Sequence, residues 1–275
     1  MNHESLRNES YENPWADFSI RELPKTSTNK ECAFFLREIE RSGKTEKVAH
    51  FIDEKLATEA KQYDSVESFY ESNPGYEDEL DQTLSLSQKE TFKNYSGYNF
   101  AWINSVARGF WDYEKMGEET PEKRAEVEKT IRDISEAIPY APSPKEDFMT
   151  FRGTNLDAFR SYGVEKLSDL EKLKEQFYLD RGFASSALVR ENSFVDKEEK
   201  SFWIDSSNVE IRYHIPSGSN DCIALFDDSL SYSPGQTEVL MNRWALNYVS
   251  DVKINDDRAV VDMLLIPHDL YDSPE

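Results

Sequence analysis

The sequence predicts an α+β fold in which helices come first along the chain and strands follow. Apolar residues recur at helical spacing as far as residue 138, whereas apolar and polar residues alternate after Pro142 and Pro144. Helices and strands segregated in this way favour an α+β domain over alternating βαβ units. The chain has 275 residues, 38% of them hydrophobic and 13% aromatic, which is enough for a sizeable core.

Helices are predicted in the first half of the chain. Short apolar stripes indicate helices between residues 31 and 72, and another is expected over 87–94. Residues 73–81 hold a Pro-Gly pair and four acids, which predicts a loop. Thr120 as a cap before Pro121 predicts the start of the last helix. One more helix is expected to face the core through an apolar stripe of Ile103, Val106, Ala107, Phe110 and Trp111.

Strands are predicted in the second half. The first runs from Phe148 to Arg152, and two short helical pieces follow at about 155–161 and 167–176. Apolar residues alternate strictly with polar ones over 209–215, which is typical of a half-buried strand. The remaining strands are expected at 182–188, 222–226, 238–241, 244–252 and 259–266.

Charge and residue spacing exclude several classes of function. The formal net charge of −22 disfavours binding to nucleic acid and to anionic membranes, so we expect a protein or small-molecule partner. No two of the ten glycines lie closer than about eight residues, which excludes the dinucleotide fingerprint, the P-loop and the hydrolase nucleophile elbow. The scattered histidines and cysteines predict no metal site. Cys32 and Cys222 could pair in an oxidising compartment, but two buried free thiols are favoured.

Three short motifs stand out in the second half. They are Phe151-Arg152-Gly153 at a strand end, Phe183-Ala184-Ser185-Ser186, and Gln236-Thr237-Glu238. Each alone has an ordinary structural explanation. In this order they resemble the mono-ADP-ribosyltransferase exoenzymes of the arginine–serine–glutamate branch, such as the clostridial Rho-modifying and binary-toxin enzymes. Tyr95 to Tyr98, followed by Asn104 and Arg108, resembles the helix that precedes the first strand in that family.

The resemblance implies two roughly perpendicular mixed sheets that form an NAD-binding cleft against a helical N-terminal portion. It implies residues 86–270 as the catalytic domain, after a polar lead-in (1–30) and a helical region (31–85). NAD would be a consumed substrate, with no metal. The partner would be a target protein. Because this chain is strongly acidic, a target with a basic surface is expected.

The chemistry assigns roles to the motif residues. Cleavage between nicotinamide and ribose passes through an oxocarbenium-like transition state, which needs a nearby carboxylate and a cation for the pyrophosphate. Glu238 would be the carboxylate, Ser185 would orient it, and Arg152 would grip phosphate. Further NAD contacts are expected from Gly153, Asn104, Arg108 and Ser186, although a structural ion pair explains Arg108 equally well.

Gln236 is expected to decide the acceptor. Two residues apart on a strand entry, Gln236 and Glu238 would leave the same face. In the family an amide at this position goes with asparagine or glutamine acceptors, and a glutamate goes with arginine. Tyr232, in the preceding loop, is a candidate for contact with the target.

The pattern departs from the family in two places. Ala187 replaces the last hydroxyl of the serine motif, and residues 191–208 offer the aromatics Phe194, Phe202 and Trp203 but no arginine.

Three functions stay open at the sequence level. We expect a mono-ADP-ribosyltransferase, a toxin or effector. An NAD glycohydrolase and a non-catalytic binding module on the same fold are the alternatives. The N-terminus lacks a signal-peptide layout, so a soluble protein is expected, either cytoplasmic or delivered into a target cell.

Overall fold

The computed structural model describes residues 22–24, 27–111, 117–193 and 208–271. Its helices come before its strands, which confirms the α+β class. Helices in the described part of the chain are α1 (Lys30–Arg41), α2 (Thr45–Leu56), α3 (Val66–Ser72), α4 (Tyr76–Thr83), α5 (Leu86–Asn94), α6 (Phe100–Ala107) and α7 (Pro121–Ala137). None of the described helices is long and apolar enough to span a membrane.

Side-chain caps fix several helix starts. The Asn29 side chain accepts a hydrogen bond from the Cys32 N–H at 2.9 Å to open α1. Ser65 and Ser85 form capping boxes for α3 and α5. Thr120 caps α7 with Pro121 in the first turn, as predicted.

The prediction of a loop over residues 73–81 was wrong, because α4 begins at Tyr76. Gly75 lies just before it with φ +84°, a left-handed conformation that glycine adopts without strain. Three of the four acids that suggested a loop, Glu77, Asp78 and Glu79, lie in the first helical turn, where the helix dipole favours negative charge. Tyr76 and Leu80, one turn apart, bury the inner face.

The predicted helical stripe at 103–111 was partly wrong. Helix α6 ends at Ala107, and Gly109 follows with φ +94°. Phe110 therefore leaves the helical face and is 53% exposed, whereas Ile103 and Val106 are buried as expected.

The strands form one mixed sheet with the order β2-β7-β8-β4-β1-β3-β6-β5. Among the strand pairs of the described residues, β4–β8 is the parallel one and the others are antiparallel. Two short 3₁₀ segments lie where helical pieces were predicted, at Leu156–Tyr162 and Leu167–Leu173. The strands are β1 (Phe148–Thr154), β2 (Phe177–Asp180), β3 (Ala184–Ala187), β4 (Val209–Ile215), β5 (Cys222–Leu225), β6 (Glu238–Met241), β7 (Ala245–Asn255) and β8 (Arg258–Ile266).

Pairing within the sheet is shortest between β1 and β3. Those strands share a single register pair, Phe151 with Ala187, whereas β1 and β4 share seven. We define this place as the seam. It separates a five-stranded part from the three strands β3, β6 and β5. The two sheets that we predicted are thus two parts of one hydrogen-bonded sheet.

Strand β4 is buried on both faces, which corrects the half-buried prediction. Glu210 and His214, on the face expected to meet solvent, are 4% and 8% exposed. Asp147 bonds His214 Nε2 at 2.9 Å and accepts a hydrogen bond from Lys55 of α2 at 2.9 Å. Glu210 is paired with Arg190 and Arg212, and His214 is hydrogen-bonded to Asp147, so protein groups take the place of water as partners.

One hydrophobic core joins helices and sheet. Its cluster of buried residues reaches from Leu23 to Tyr271, so the helical region and the sheet pack as one body within the described residues. The domain boundaries given above stay a prediction. Cys32 and Cys222 are buried free thiols, as favoured by the sequence.

Candidate active site

The seam brings the three sequence motifs together. Phe151 of β1 pairs with Ala187 of β3, and Ala187 pairs in turn with Glu238 of β6. Arg152 follows Phe151, and its Nη1 donates a hydrogen bond to the Ser185 carbonyl oxygen at 3.3 Å. Residues that lie far apart in the sequence therefore meet across neighbouring strands.

Glu238 is a buried carboxylate at the start of β6, only 8% exposed. Burial raises its pKa, and the Ser185 side chain and the Arg152 charge oppose that rise. A carboxylate in such a water-poor place acts strongly on any positive charge that develops beside it.

Arg152 is half-buried and forms no ion pair with any residue of the described chain. Most of its guanidinium donors are thus available to an external anion. A guanidinium that is held in place but not neutralised fits the pyrophosphate of NAD. Together with the nearby carboxylate, these groups meet the two charge requirements of the expected substrate.

Gly153 and Ser186 already have partners within the protein. The Gly153 N–H donates to the Ser193 carbonyl oxygen at 2.8 Å. Ser186 is 4% exposed, and its Oγ lies 2.9 Å from Thr150 Oγ1 and 3.1 Å from the Val239 carbonyl oxygen. The Ser186 bonds fasten β3 to β1 and β6, and the Gly153 bond fastens β1 to the turn after β3. NAD contacts from either residue stay a prediction.

Asn104 of α6 and Arg108, directly after α6, contact the end of β2 and the loop that leads to β3. Asn104 Oδ1 accepts the Phe183 N–H at 2.8 Å. Arg108 forms a two-pronged ion pair with Asp180, at 3.1 Å and 3.0 Å. Both hold this helix to the entrance of β3, and their role toward NAD stays a prediction.

Tyr95 is a site residue that the sequence reasoning named within the Tyr95–Tyr98 stretch but to which it gave no role. Its buried hydroxyl accepts a hydrogen bond from Asn104 Nδ2 at 2.9 Å, and its ring packs edge-on against Phe183. Burial raises its pKa first, and the charge of Glu238 raises it further, so the phenol stays protonated. An aromatic residue in a helical stretch is usually interpreted as part of the hydrophobic core. The position of Tyr95, nine residues before Asn104, was the sequence feature that could have indicated its role.

The prediction that the Gln236 and Glu238 side chains leave the same face of a strand was wrong. Gln236 lies at the end of a 3₁₀ turn, Pro234–Gln236, and the strand begins only at Glu238. Between them Thr237 has φ +52° and ψ +44°, a left-handed conformation. Strand alternation therefore does not apply, and Gln236 is exposed while Glu238 is buried.

The loop before this turn is attached to the helical region through Tyr232. The Tyr232 N–H donates to Ser96 Oγ at 3.0 Å, and Lys93 Nζ lies 5.4 Å from the ring centroid. A Cβ at Gly97 would lie 2.8 Å from the ring, so a glycine is needed for this close approach. Tyr232 is nevertheless 61% exposed.

An arginine does follow the serine motif, one residue before the window considered above. Arg190 forms a two-pronged ion pair with Glu210, and Arg212 Nε donates to the same carboxylate at 2.9 Å. Arg190 lies directly before residues 191–208, where the arginine was expected. Phe194, Phe202 and Trp203 lie outside the described residues.

Neither of two surface pockets in the described structure contains the motif residues. Pockets of about 350 Å³ and 200 Å³ lie in the described structure, and neither is lined by Arg152, Ser185 or Glu238. No group of three or more metal-binding side chains occurs within residues 22–24, 27–111, 117–193 and 208–271.

Comparison with known proteins decides the family. The family model for the ADP-ribosyltransferase exoenzyme matches residues 72–266. The chain belongs to this family. The match includes all three motifs together with Asn104 and Arg108. As a member, the protein is an NAD-dependent mono-ADP-ribosyltransferase. No curated protein sequence matches the chain.

Solved structures of exoenzymes share the fold. C3stau2 from S. aureus, crystallised with NAD, is 18% identical with a TM-score of 0.57, covering 76% of this chain and 100% of that one. Plx2a, a toxin from Paenibacillus larvae, is 22% identical with a TM-score of 0.54, covering 76% and 100%. The C3 exoenzyme of Clostridium limosum is 18% identical with a TM-score of 0.54, covering 76% and 98%.

Proposed function

We propose that this ADP-ribosyltransferase modifies a protein target and favours an asparagine or glutamine side chain as acceptor. The observation that carries the proposal is the arrangement at the seam. A buried Glu238 lies near Arg152, which forms no ion pair within the described part of the chain. Gln236, which is neutral and exposed, precedes Glu238 by two residues. One side of the arrangement suits NAD and the other suits an acceptor from solution.

Arg152 would hold the pyrophosphate while Glu238 faces the nicotinamide ribose. The bond between the ribosyl carbon and the nicotinamide nitrogen breaks, and nicotinamide leaves with the electron pair. The ribosyl carbon becomes positively charged in the transition state, and the Glu238 carboxylate stabilises that charge. Ser185, on the neighbouring strand, would keep the carboxylate in orientation.

Gln236 supports an amide acceptor. A guanidinium acceptor must be held by a negative group and lose a proton as it attacks, and a glutamine offers neither charge nor basicity. Its side-chain carbonyl can accept a hydrogen bond from an acceptor amide and orient the amide nitrogen toward the ribosyl carbon. As the new carbon–nitrogen bond forms, the amide nitrogen releases one proton to solvent. The exposure of Gln236 supports this contact with a target.

The surface beside the Tyr232 loop supports a target with a basic face. A pocket of about 200 Å³ is lined by Glu77, Asp78, Asp81 and Asp227, with Lys89 as its cation. Lys89 is paired with Asp81, which leaves the pocket negative. Such a surface attracts positive partners and speeds their association at low salt. We infer that the enzyme acts as a toxin or effector on such a protein.

Incubation of the enzyme with NAD labelled in its adenylate phosphate and a host-cell lysate tests the proposal. Label on protein supports transfer. Free ADP-ribose without labelled protein indicates a glycohydrolase, and no turnover indicates a binding module. Peptide mass spectrometry of the labelled protein then identifies the modified residue, and an arginine there would contradict the amide assignment.

Substitution of Gln236 tests the acceptor separately. Gln236→Ala should suppress protein labelling and leave slow NAD hydrolysis, because Glu238 still supports bond cleavage. Gln236→Glu should open weak transfer to agmatine, a small guanidino acceptor. Efficient labelling of agmatine by the wild-type enzyme would overturn the proposed role of Gln236.

A further inference from the structure

Thr237 has an unusual backbone conformation for its residue type. Four described residues other than glycine have positive φ, and Thr237 is the β-branched one among them. A β-branched side chain crowds its own backbone in this region, so the conformation is costly and persists only where neighbouring groups enforce it.

Hydrogen bonds from the turn after β3 enforce it here. Thr237 Oγ1 accepts the Val189 N–H at 3.3 Å and lies 3.4 Å from the Asn192 Nδ2 donor. Asn192 Nδ2 also donates to the Gly235 carbonyl oxygen at 3.1 Å, and the Leu188 N–H donates to the Thr237 carbonyl oxygen at 2.8 Å. Thr237 is 6% exposed, so water competes little for these bonds.

The left-handed residue separates the two side chains beside it. In a regular strand, residues two apart point to the same face. With Thr237 turned, Gln236 meets solvent while Glu238 is buried toward Arg152. The conformation of Thr237 therefore allows Gln236 to face an acceptor without withdrawing Glu238 from the NAD side.

We propose that Thr237 and Asn192 are positioning residues for the acceptor. They hold the turn that presents Gln236, and they thereby set the share of ADP-ribose that reaches protein instead of water. Neither residue touches the reacting atoms in this proposal. The inference rests on the transfer function proposed above and adds to it the residues that decide between transfer and hydrolysis.

Four variants test this role. Thr237→Val keeps the shape and removes the hydroxyl, Asn192→Ala removes the donor, and Thr237→Ser keeps the hydroxyl. Glu191→Ala, in the same turn, is the matched control. The measured quantity is the ratio of label on lysate protein to nicotinamide released without lysate. We expect this ratio to fall about fivefold for Thr237→Val and Asn192→Ala, as loss of a hydrogen bond implies. It should stay near wild type for Thr237→Ser and Glu191→Ala.

An unchanged ratio in Thr237→Val would overturn the inference, whereas wild-type enzyme that releases no nicotinamide would overturn the proposed function instead. Amide hydrogen exchange of a peptide covering residues 233–238 decides the matter without activity. Exchange should be faster in Thr237→Val and Asn192→Ala than in wild type, with the remaining core peptides unchanged. Equal exchange of this peptide in all variants would refute the positioning role, whatever the enzyme assays show.

Discussion

Substitution of Gly182 by alanine should destabilise the protein strongly. A Cβ at this position would lie 2.7 Å from Asn104 Oδ1 and 3.0 Å from Arg108 Cζ. Neither neighbour can retreat freely, because Asn104 Oδ1 accepts the Phe183 N–H and Arg108 is held by Asp180. Overpacking costs about 1–3 kcal/mol, and a lost hydrogen bond about 1 kcal/mol more.

A loss of about 2–4 kcal/mol in a chain of this size lowers the Tm by roughly 5–15 °C. Thermal unfolding followed by far-UV circular dichroism at pH 7 measures this. Gly235→Ala is the matched control, because its new Cβ meets no atom within 4 Å, and its Tm should stay near wild type. The double variant Asn104→Ala with Gly182→Ala should lose less than the sum of the single variants, since the clash is then relieved. Equal Tm values for Gly182→Ala and wild type would refute the steric argument.

Three further predictions concern charges. Glu238→Gln should slow nicotinamide release by about 10²–10³-fold, because the mutant lacks the charge that stabilises the transition state. Its Tm at pH 7 should not fall, because the raised pKa of Glu238 means that ionisation of this buried carboxylate costs stability. A turnover near wild type would remove Glu238 from the mechanism. Arg152→Lys should raise the KM for NAD more than it lowers kcat, since lysine keeps the charge but loses the fork; an unchanged KM in steady-state titration would contradict the phosphate role. Burial alone would raise the pKa of Asp147, but hydrogen bonds from Lys55, the Ser217 N–H and His214 hold it well below its usual range. Asp147→Asn should therefore lower the Tm most above about pH 4, the unfolded pKa, and the difference from wild type should close as pH falls further; a difference that is constant with pH would argue against this.

The sequence predicts the elements better than the contacts between them. The cap at Thr120 is a local signal, and it was sufficient. The roles of Arg152 and Glu238 came from the order of motifs and a resemblance, because their proximity depends on strand pairing across the seam. Strand pairing between distant segments is not encoded in local periodicity.

The geometry of Gln236 was mispredicted for the same reason. Its neighbour Thr237 favours extended backbone by residue type, and the strand pattern of Val239 and Leu240 suggested that the strand began earlier. The conformation depends on donors at Val189 and Asn192, which are 48 and 45 residues away in the chain. Such a long-range cause leaves no trace in the local pattern.

The single register pair at the seam has a mechanical consequence. Arg152 lies on the five-stranded side and Glu238 on the three-stranded side, with little backbone hydrogen bonding between them. With the roles proposed here, bound NAD would link the two sides, because its pyrophosphate would contact Arg152 and its ribose would lie at Glu238. Scission of the nicotinamide bond leaves the pyrophosphate and the ribose joined in ADP-ribose. The link between the two sides would therefore persist through the chemical step and be lost only when ADP-ribose leaves the cleft on its acceptor.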